Sequence, residues 1–344
     1  MNIQEALERL LLRQNLTRDE MKAVMEQIMT GGATPSQIGG FLVALRMKGE
    51  TVDEVTAAAE VMRSLADGVS VEQAGVVDIV GTGGDTTSTF NVSTASALVA
   101  AASGVRIAKH GNRSVSSKSG AADLLETAGV NIDLSPSEVA ACVDKVGVGF
   151  MFAPRHHNAM KHAIGPRREM GVRTIFNLLG PLTNPASAPN QVLGVFDPQW
   201  VRPLAEVLGQ LGSHHVMVVH GENGMDEISC SGKTFVAELH EGKVREYSLE
   251  PAEFGLGSSP LADIVVDGPE QSLAMVRGVL ANKPGAARDI VQLNAGAAIY
   301  VGGLVTTLAE GVALANKTLA SGAAAQTFEQ LISFSNQFSE SGNS

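Results

Sequence analysis

Residues 76–85 read VVDIVGTGGD, and residues 91–94, NVST, begin a helical pattern of small side chains after them. An apolar strand, a glycine turn and a helix in this order predict an α/β fold. Three glycines in four positions permit positive φ and leave backbone N–H groups uncovered, so an anion can approach the main chain. We interpret the turn as a phosphate-binding loop. The alternative is a turn whose glycines only permit tight packing.

This turn differs from the common nucleotide-binding signatures. It lacks the GxxxxGK[ST] pattern of P-loop proteins and the GxGxxG spacing of dinucleotide-binding folds. Seven Ser and Thr residues between positions 82 and 94 offer hydroxyl donors around it instead. The following helix directs the positive end of its dipole toward the turn. The pattern therefore indicates a phosphate site of another kind.

Length and composition limit the possible classes of protein. A chain of 344 residues exceeds what one core usually supports, so we expect two domains or one domain with an appendage. The formal charge of −11 argues against a general binder of nucleic acid or membrane surfaces. With 37 glycines and 4% aromatic residues, the composition favours an α/β enzyme over an all-β module.

The chain has two cysteines, Cys142 and Cys230, without a partner at metal-ligand spacing, so no disulfide framework is expected. Residues 1–5 show no basic region followed by an apolar run, so we expect no secretory leader, and no uncharged stretch of about 18 residues suggests a membrane span. These features predict a soluble, cytoplasmic protein with no membrane partner.

Residues 1–66 carry a helical pattern with clear boundaries. Thr17 with Glu20 and Thr51 with Glu54 have the spacing of capping boxes, and Thr34 precedes a proline at the first helical position. Four short amphipathic helices are predicted here. From residue 76 onward, short apolar runs alternate with helices, which predicts a mainly parallel sheet.

The predicted elements define the expected architecture. The strands of the parallel sheet are 76–80, 105–108, 148–152, 192–196 and 216–219; an antiparallel hairpin follows at 235–239 and 244–249, and helices at 272–281, 287–301 and 308–319. The fold class is α/β, with a small N-terminal helical domain packed on a larger α/β domain with a central, mainly parallel sheet. A cleft between the domains is the expected place for a second substrate.

Two further motifs carry charge. Residues 109–118, KHGNRSVSSK, follow a predicted strand, where open α/β folds bind ligands, and we expect a mobile cationic loop there. Asp226-Glu227 supplies adjacent carboxylates on a loop, which suits Mg²⁺. The alternatives are a solvated basic turn and a solvated acidic turn. His156, His157 and His162 could form a transition-metal cluster, but we expect them to be structural or surface histidines.

Together these motifs resemble anthranilate phosphoribosyltransferase of tryptophan biosynthesis. The motifs that carry the resemblance are residues 81–85, GTGGD; 91–94, NVST; 109–113, KHGNR; 173–185, RTIFNLLGPLTNP; and Asp226-Glu227. The resemblance implies transfer of the phosphoribosyl group of 5-phosphoribosyl 1-diphosphate (PRPP) to the amine of anthranilate, with release of diphosphate. This is the second step of tryptophan synthesis from chorismate, catalysed by a Mg²⁺-dependent pentosyltransferase.

The same resemblance implies an organisation for the chain. It implies a homodimer, two Mg²⁺ ions per protomer and no nucleic-acid partner. Residues 1–66 would form the helical domain and receive a segment near 163–185, while 70–162 and 186–344 would form the α/β domain that binds PRPP.

The resemblance also implies a role for each residue at a matching position. PRPP would be bound by Gly81, Gly84, Asp85, Thr89, Asn91, Val92, Ser93, Thr94, Lys109, His110, Gly111, Asn112, Arg113, Ser114, Val115, Ser116, Ser117 and Ala121. Anthranilate would contact Gly81, Asn112 and Arg167, and the metal ligands would be Ser93, Asp226 and Glu227. An arginine can pair with the substrate carboxylate through two hydrogen bonds.

Catalysis would then consist mostly of positioning and electrostatics. His110 is the candidate to take the amine proton, or it only shapes the site. Two positions depart from the family pattern: Ala121 replaces a serine, and Asn158 replaces a proline.

Two rival functions remain open. A pyrimidine nucleoside phosphorylase would use inorganic phosphate and a nucleobase, and Arg167 with the 173–185 motif argues against it. A non-catalytic relative that binds nucleic acid should show a basic groove and an eroded acidic pair, whereas this chain is acidic and keeps Asp226-Glu227.

Overall fold

The computed structural model describes residues 1–72, 75–84, 87–114 and 117–340, without the side chains of residues 339 and 340. Its first four helices are α1 (Ile3–Leu11), α2 (Arg18–Met29), α3 (Pro35–Lys48) and α4 (Val52–Ser64). The predicted capping boxes are present, since the hydroxyls of Thr17 and Thr51 accept from the backbone of Glu20 and Glu54. Thr34 caps α3 with proline at its first turn. The four-helix prediction is confirmed.

The sheet has seven strands in the described residues, in the order β3-β2-β1-β4-β5-β6-β7. The strands are β1 (Val77–Gly81), β2 (Ile107–Gly111), β3 (Val148–Phe152), β4 (Asn190–Gly194), β5 (His215–Gly221), β6 (Thr234–His240) and β7 (Lys243–Leu249). Strands β1 to β5 are parallel, while β6 and β7 pair antiparallel with their neighbours. Both the mainly parallel sheet and the hairpin are confirmed.

Strand β2 differs from the prediction. It was expected to end at residue 108, but it continues through Lys109 and His110 to Gly111, paired with β3. Lys109 is 3% exposed and His110 is 4% exposed. The expectation that these two residues belong to a mobile cationic loop was wrong, because their side chains are buried within the sheet layer.

The remaining helices surround the sheet: α5 (Val92–Ala102), α6 (Ala121–Thr127), α7 (Pro136–Val146), α8 (Ala153–His156), α9 (Lys161–Met170), α10 (Phe176–Leu182), α11 (Val201–Gln210), α12 (Pro269–Leu280), α13 (Ala286–Val301), α14 (Leu308–Ser321) and α15 (Ala323–Glu340). The predicted C-terminal helices correspond to α12, α13 and α14, and α15 was not predicted. None of the helices in the described ranges combines the length and the hydropathy that a membrane-spanning segment requires.

The alternating direction of side chains along the strands separates two hydrophobic cores. Val192 and Met217 face the core formed with α5 and α13, whereas Leu193 and Val216 face the core shared with α1 to α4, α10 and α11. Because successive strand residues point to opposite faces, each strand supplies both cores. The helical bundle therefore packs on one face of the sheet.

Polar contacts also tie α4 to the later segments. The Arg63 guanidinium donates to the Leu182 carbonyl at 2.7 Å. The Asp67 backbone N–H donates to the His156 carbonyl at 2.8 Å, and the Asn158 amide donates to the Asp67 carboxylate at 2.8 Å. Asn158, which departs from the family pattern, thus contacts the connection between α4 and β1. Cys142 and Cys230 are buried free thiols.

Candidate active site

The glycine turn lies directly beside the acidic pair. The Gly83 backbone N–H donates to Asp226 Oδ2 at 2.9 Å. A Cβ at Gly81 would lie 2.2 Å from the same oxygen, which is closer than any side chain could be placed. Gly83 and Gly84 have φ values of 64° and 80°, in the left-handed region that favours glycine. The glycines therefore allow the turn to approach the Asp226 carboxylate.

Two residues that sequence reasoning missed hold the acidic loop in place. A Cβ at Gly194 would lie 1.5 Å from the Asp226 carbonyl oxygen, so the end of β4 must be glycine at this point. The buried Asn294 side chain accepts from the Ile228 N–H at 2.9 Å and donates to its carbonyl at 2.9 Å. No sequence motif singled out either residue, because both act through a distant segment.

Lys109 places a buried positive charge at the same edge of the sheet. Its Nζ donates to the Ile79 carbonyl at 2.5 Å and to Ser93 Oγ at 3.1 Å. Burial lowers the pKa of Lys109, and the charges of Asp78, Glu227 and Asp226 oppose that shift. Ser93, Lys109 and the acidic pair therefore lie within electrostatic reach of one another.

Asp78 is a buried carboxyl on β1 behind the turn. It accepts from the His110 backbone N–H at 3.2 Å. Burial raises its pKa to about 6, while the charge of Lys109 acts in the opposite direction. Asp78 was not predicted as a site residue, since an acidic residue inside an apolar run carried no signal of its own.

A hydrogen-bonded network fixes the start of α5. The Asn91 amide donates to the Ser119 carbonyl at 3.1 Å, and its carbonyl oxygen accepts from the hydroxyls of Ser119 and Ser272 at 2.7 and 2.6 Å. Val92 is buried as the first residue of the helix. The Thr94 hydroxyl is buried and has no hydrogen-bond partner among the described residues.

The segment after β2 is less cationic than predicted. Arg113 pairs with Glu126 at 2.7 Å and with Asp123 at 3.3 Å, so its charge is engaged by α6. The Asp123 carboxylate also accepts from the Ser114 and Gly120 N–H groups, at 2.9 Å each. These contacts fold the segment back over the start of α6.

The other predicted PRPP residues lie around these two segments. The Asn112 carbonyl accepts from the Ala122 N–H at 3.2 Å, and the Ser114 and Ser117 hydroxyls are 2.8 Å apart. Thr89 pairs with Val265 in an isolated bridge. Gly111 ends β2, and Ala121 lies close beside it. Ala121 begins α6 and offers no hydroxyl there. Asp85, Val115 and Ser116 lie outside the described residues.

Two arginines of the 163–185 segment lie over aromatic rings. Arg167 on α9 is half-buried, lies 5.0 Å from the Phe176 ring centre, and has a pKa lowered by burial. Arg173 donates to the Gly84 carbonyl and lies 4.3 Å from the Phe196 ring centre. Arg173, which was not predicted as a site residue, contacts the glycine turn, whereas Arg167 contacts Phe176 within its own segment, residues 163–185.

His110 is a buried imidazole behind the turn. Burial and the neighbouring His157 and His156 lower its pKa well below the usual value of 6.5. Its ring centre is 5.1 Å from that of His157, and its Nε2 has no hydrogen-bond partner among the described residues. His110 is therefore neutral at physiological pH.

His156, His157 and His162 were predicted to be structural or surface histidines. His156 Nδ1 lies 2.9 Å from the Asp67 carbonyl, and His156, His157 and His162 do not form a metal-ligand group in the residues that the structure describes. A cleft of about 490 Å³ between the helical bundle and the segment that follows β4 is lined by Arg46, Glu50, Thr174, Phe196 and Trp200 among others. None of the predicted anthranilate residues lines it.

Donor chemistry at the acidic loop fits Mg²⁺. Two carboxylates and the Ser93 hydroxyl are hard oxygen ligands at one sheet edge, next to the buried ammonium of Lys109. The Asp226 carboxylate is already oriented by the Gly83 N–H.

Comparison with known proteins identifies the family. The profile described as "Glycosyl transferase family, helical bundle domain" matches residues 4–66, and that of "Glycosyl transferase family, a/b domain" matches residues 73–325. An anthranilate phosphoribosyltransferase of Thioalkalivibrio sulfidiphilus is 62% identical over 334 residues, which cover 97% of this chain and 99% of the relative. The chain belongs to the anthranilate phosphoribosyltransferase family.

Solved structures of this family have the same fold. The anthranilate phosphoribosyltransferase of Thermus thermophilus superposes with a TM-score of 0.91 at 45% identity, covering 96% of this chain and 99% of that one. The Saccharomyces cerevisiae enzyme, solved in complex with PRPP and Mg, gives a TM-score of 0.88 at 28% identity over 97% of this chain and 98% of that one. The same yeast enzyme has been solved in complex with 4-fluoroanthranilate. The family resemblance read from the motifs is confirmed.

Proposed function

We propose that this chain transfers the phosphoribosyl group of PRPP to the amine of anthranilate and releases diphosphate, the second step of tryptophan synthesis from chorismate. The observation that carries the proposal is the meeting of the glycine turn, Asp226 and the Ser93–Lys109 pair at one sheet edge. A 62%-identical relative named for this activity supports it.

The PRPP diphosphate is assigned to the space in front of the glycine turn and the first turn of α5. Backbone N–H groups and the helix N-terminus suit an anion there. The Thr94 hydroxyl, buried and without a partner among the described residues, is one donor available on α5. Ser93, Asp226 and Glu227 would hold Mg²⁺, two ions per protomer, which when bound neutralises charge on the leaving diphosphate.

In the reaction, the C1–O bond to diphosphate breaks as a bond from the anthranilate nitrogen to C1 forms. Attack from the face opposite the diphosphate inverts C1. Lys109 supplies fixed positive charge near the departing group, and preorganised charge of this kind stabilises the transition state. No protein nucleophile is required, because the amine attacks directly.

The amine must lose one proton after attack. His110 is a weak candidate for the base because its pKa lies well below the usual value, so that it binds a proton poorly. The second role considered for His110, shaping the pocket as a neutral imidazole, fits its burial better. We assign anthranilate to the Gly81, Asn112 and Arg167 side, with the Arg167 guanidinium pairing with the carboxylate.

We further propose a cytoplasmic homodimer with the helical domain, residues 1–66 with 163–185, at its interface, and 70–162 with 186–344 as the PRPP-binding domain. Exposed apolar side chains are found on this helical part, at Leu11, Leu12, Met47 and Ile164. Large exposed apolar residues of this kind favour association. The two free thiols are compatible with a reducing compartment.

Product stoichiometry tests the proposed reaction. Incubation with anthranilate, PRPP and Mg²⁺ should release one diphosphate for each anthranilate consumed, and thymidine with inorganic phosphate should give no thymine. Thymine formation without anthranilate consumption would instead establish the nucleoside phosphorylase alternative.

A further inference from the structure

A second group of metal-ligand side chains lies at the sheet edge opposite the glycine turn. His215 begins β5 and is the cross-strand partner of His240, the last residue of β6. Glu238 precedes His240 by two residues, so both side chains lie on the same face of β6. The amino ends of the parallel strands meet here, far from the carboxyl ends that bear the glycine turn.

The three side chains are close enough to share one ion. A ligand atom from each lies within 4.8 Å of the others, and His215 Nε2 is 2.9 Å from Glu238 Oε1. The two imidazole rings stack with centres 4.1 Å apart. Ligands of a tetrahedral zinc ion lie about 3.3 Å apart, given metal–ligand bonds near 2.0 Å. His240 is exposed, so a small rotation of its ring can close the remaining gap.

Glu238 is held as a ligating carboxylate would be. Its side chain is fully buried, its Oε2 accepts from Tyr247 at 2.7 Å and from Arg245 at 3.0 Å, and its Oε1 accepts from Tyr300 at 2.8 Å. Outer hydrogen bonds of this kind orient the ligands of metal sites. Because Arg245 uses Oε2, the other oxygen, which Tyr300 also contacts, remains directed at His215.

The cluster opens onto a cleft of about 440 Å³ lined by His214, His215, His240, Gly242 and Gly303 among others. This space can admit a water molecule as a fourth ligand beside three protein ligands. Two imidazoles with one carboxylate are a donor set of zinc sites, whereas Mg²⁺ prefers oxygen ligands alone.

We infer that His215, Glu238 and His240 form a site for Zn²⁺ that is separate from the PRPP-binding edge. A metal-bound ring nitrogen carries no proton, so the proton on His215 Nε2 would move to Nδ1. His240 would rotate toward Glu238 Oε1, and the buried carboxylate would keep its Tyr247 and Arg245 contacts.

Zinc titration of the metal-stripped full chain, with a chromophoric chelator as competitor, tests this site. The parent chain for these titrations carries Asp226→Asn with Glu227→Gln, which removes the two carboxylates proposed to bind Mg²⁺. We expect one Zn²⁺ per chain, at least a tenfold loss of affinity in His240→Ala, and unchanged affinity in His214→Ala, a neighbour that lines the cleft but lies outside the cluster.

Cobalt substitution supplies an independent signal. Co²⁺ bound to the parent should show the visible absorption of a tetrahedral ion, and His240→Ala should lose it while keeping the parent's unfolding temperature. Absence of stoichiometric zinc binding would overturn the inference. So would unchanged zinc affinity in His240→Ala, or an equal loss in His214→Ala.

Discussion

Gly81 leaves room for the Asp226 carboxylate, a proposed metal ligand, because it has no side chain. A methyl group there would lie 2.2 Å from Asp226 Oδ2 and would displace the carboxylate. We predict that Gly81→Ala lowers kcat/KM for PRPP at least tenfold, measured by steady-state kinetics. Gly257→Ala is the control, since a Cβ at Gly257 meets nothing within 4 Å. Wild-type kinetics in Gly81→Ala would show that the position of Asp226 is unimportant.

Arg167 tests the assignment of the anthranilate carboxylate. Hydrogen bonds to charged groups contribute about 1.5–3 kcal/mol, so Arg167→Ala should raise the anthranilate KM roughly 10- to 100-fold with little change in the PRPP KM. Arg167→Lys should recover part of the loss, because lysine keeps the charge without the paired geometry. A change confined to the PRPP KM would contradict the assignment.

At this scale, the sequence was informative where a residue acts within its own motif. Asp226 and the glycines could be predicted because carboxylates and glycine turns have direct chemical meanings. Gly194 and Asn294 could not, because their role is to hold a loop that comes from a distant part of the chain. Arg173 was quoted within a motif, but only the fold shows its contact with Gly84.

Among the elements, the β5–β7 strands depend on the buried Glu238 carboxylate. Burial raises the pKa of Glu238, but hydrogen bonds from His215, Tyr247 and Tyr300, with the charge of Arg245, outweigh burial and lower the pKa from 4.5 to about 2. A carboxyl whose pKa is lower in the native than in the unfolded chain stabilises the fold at pH values above its unfolded pKa. This stabilisation is lost as the pH falls through the native pKa. The ionised carboxylate therefore contributes fully above pH 4.5.

We predict that Glu238→Gln, studied without zinc, lowers the free energy of unfolding by about 3 kcal/mol at neutral pH. The difference in free energy of unfolding between the variant and the wild type should narrow as the pH falls below 4.5. Urea unfolding at several pH values measures it. Glu246→Gln on β7 is the control, since that exposed side chain pairs only at the surface and should cost less than about 1 kcal/mol. A difference independent of pH would contradict the role of the charge.

Helix boundaries could be predicted well where capping boxes mark them, as at Thr17 and Thr51. Strand β2 could not be bounded, since an apolar-run criterion stops at the charged Lys109. The burial of Lys109 depends on the Ile79 carbonyl and the Ser93 hydroxyl, which accept hydrogen bonds from its ammonium, and on the charges of nearby carboxylates. These partners come from other elements. Helix α15, which packs against the α5 core through Phe328 and Leu331, was missed for lack of a comparable start signal.

At the scale of the whole molecule, the helical bundle has two apolar surfaces. One packs on the sheet, and the other leaves Met47 70% exposed and Leu11 74% exposed. If these residues lie at the homodimer interface, Met47→Lys should shift the chain from dimer to monomer in sedimentation equilibrium. Lys145, on α7, provides a distant control as Lys145→Ala. A monomeric wild-type chain would contradict the proposed assembly.

The α/β architecture followed from the alternation of apolar runs and helices, and the meeting of motifs at one sheet edge followed from parallel pairing. What the sequence left open was how the two cores share the sheet. That arrangement depends on the alternate faces of β4 and β5, where Leu193 and Val216 contact the helical bundle's core.

The most direct test of the proposed activity is the PRPP-dependent loss of anthranilate fluorescence, measured while Mg²⁺ is titrated into the metal-free chain. Turnover should rise with Mg²⁺ for the wild type and be absent for Asp226→Asn with Glu227→Gln, whose circular dichroism should match the wild type. Wild-type turnover by the double variant, or turnover by the wild type in excess chelator, would contradict the assignment of the acidic pair. No loss of anthranilate under any condition would contradict the proposed function itself.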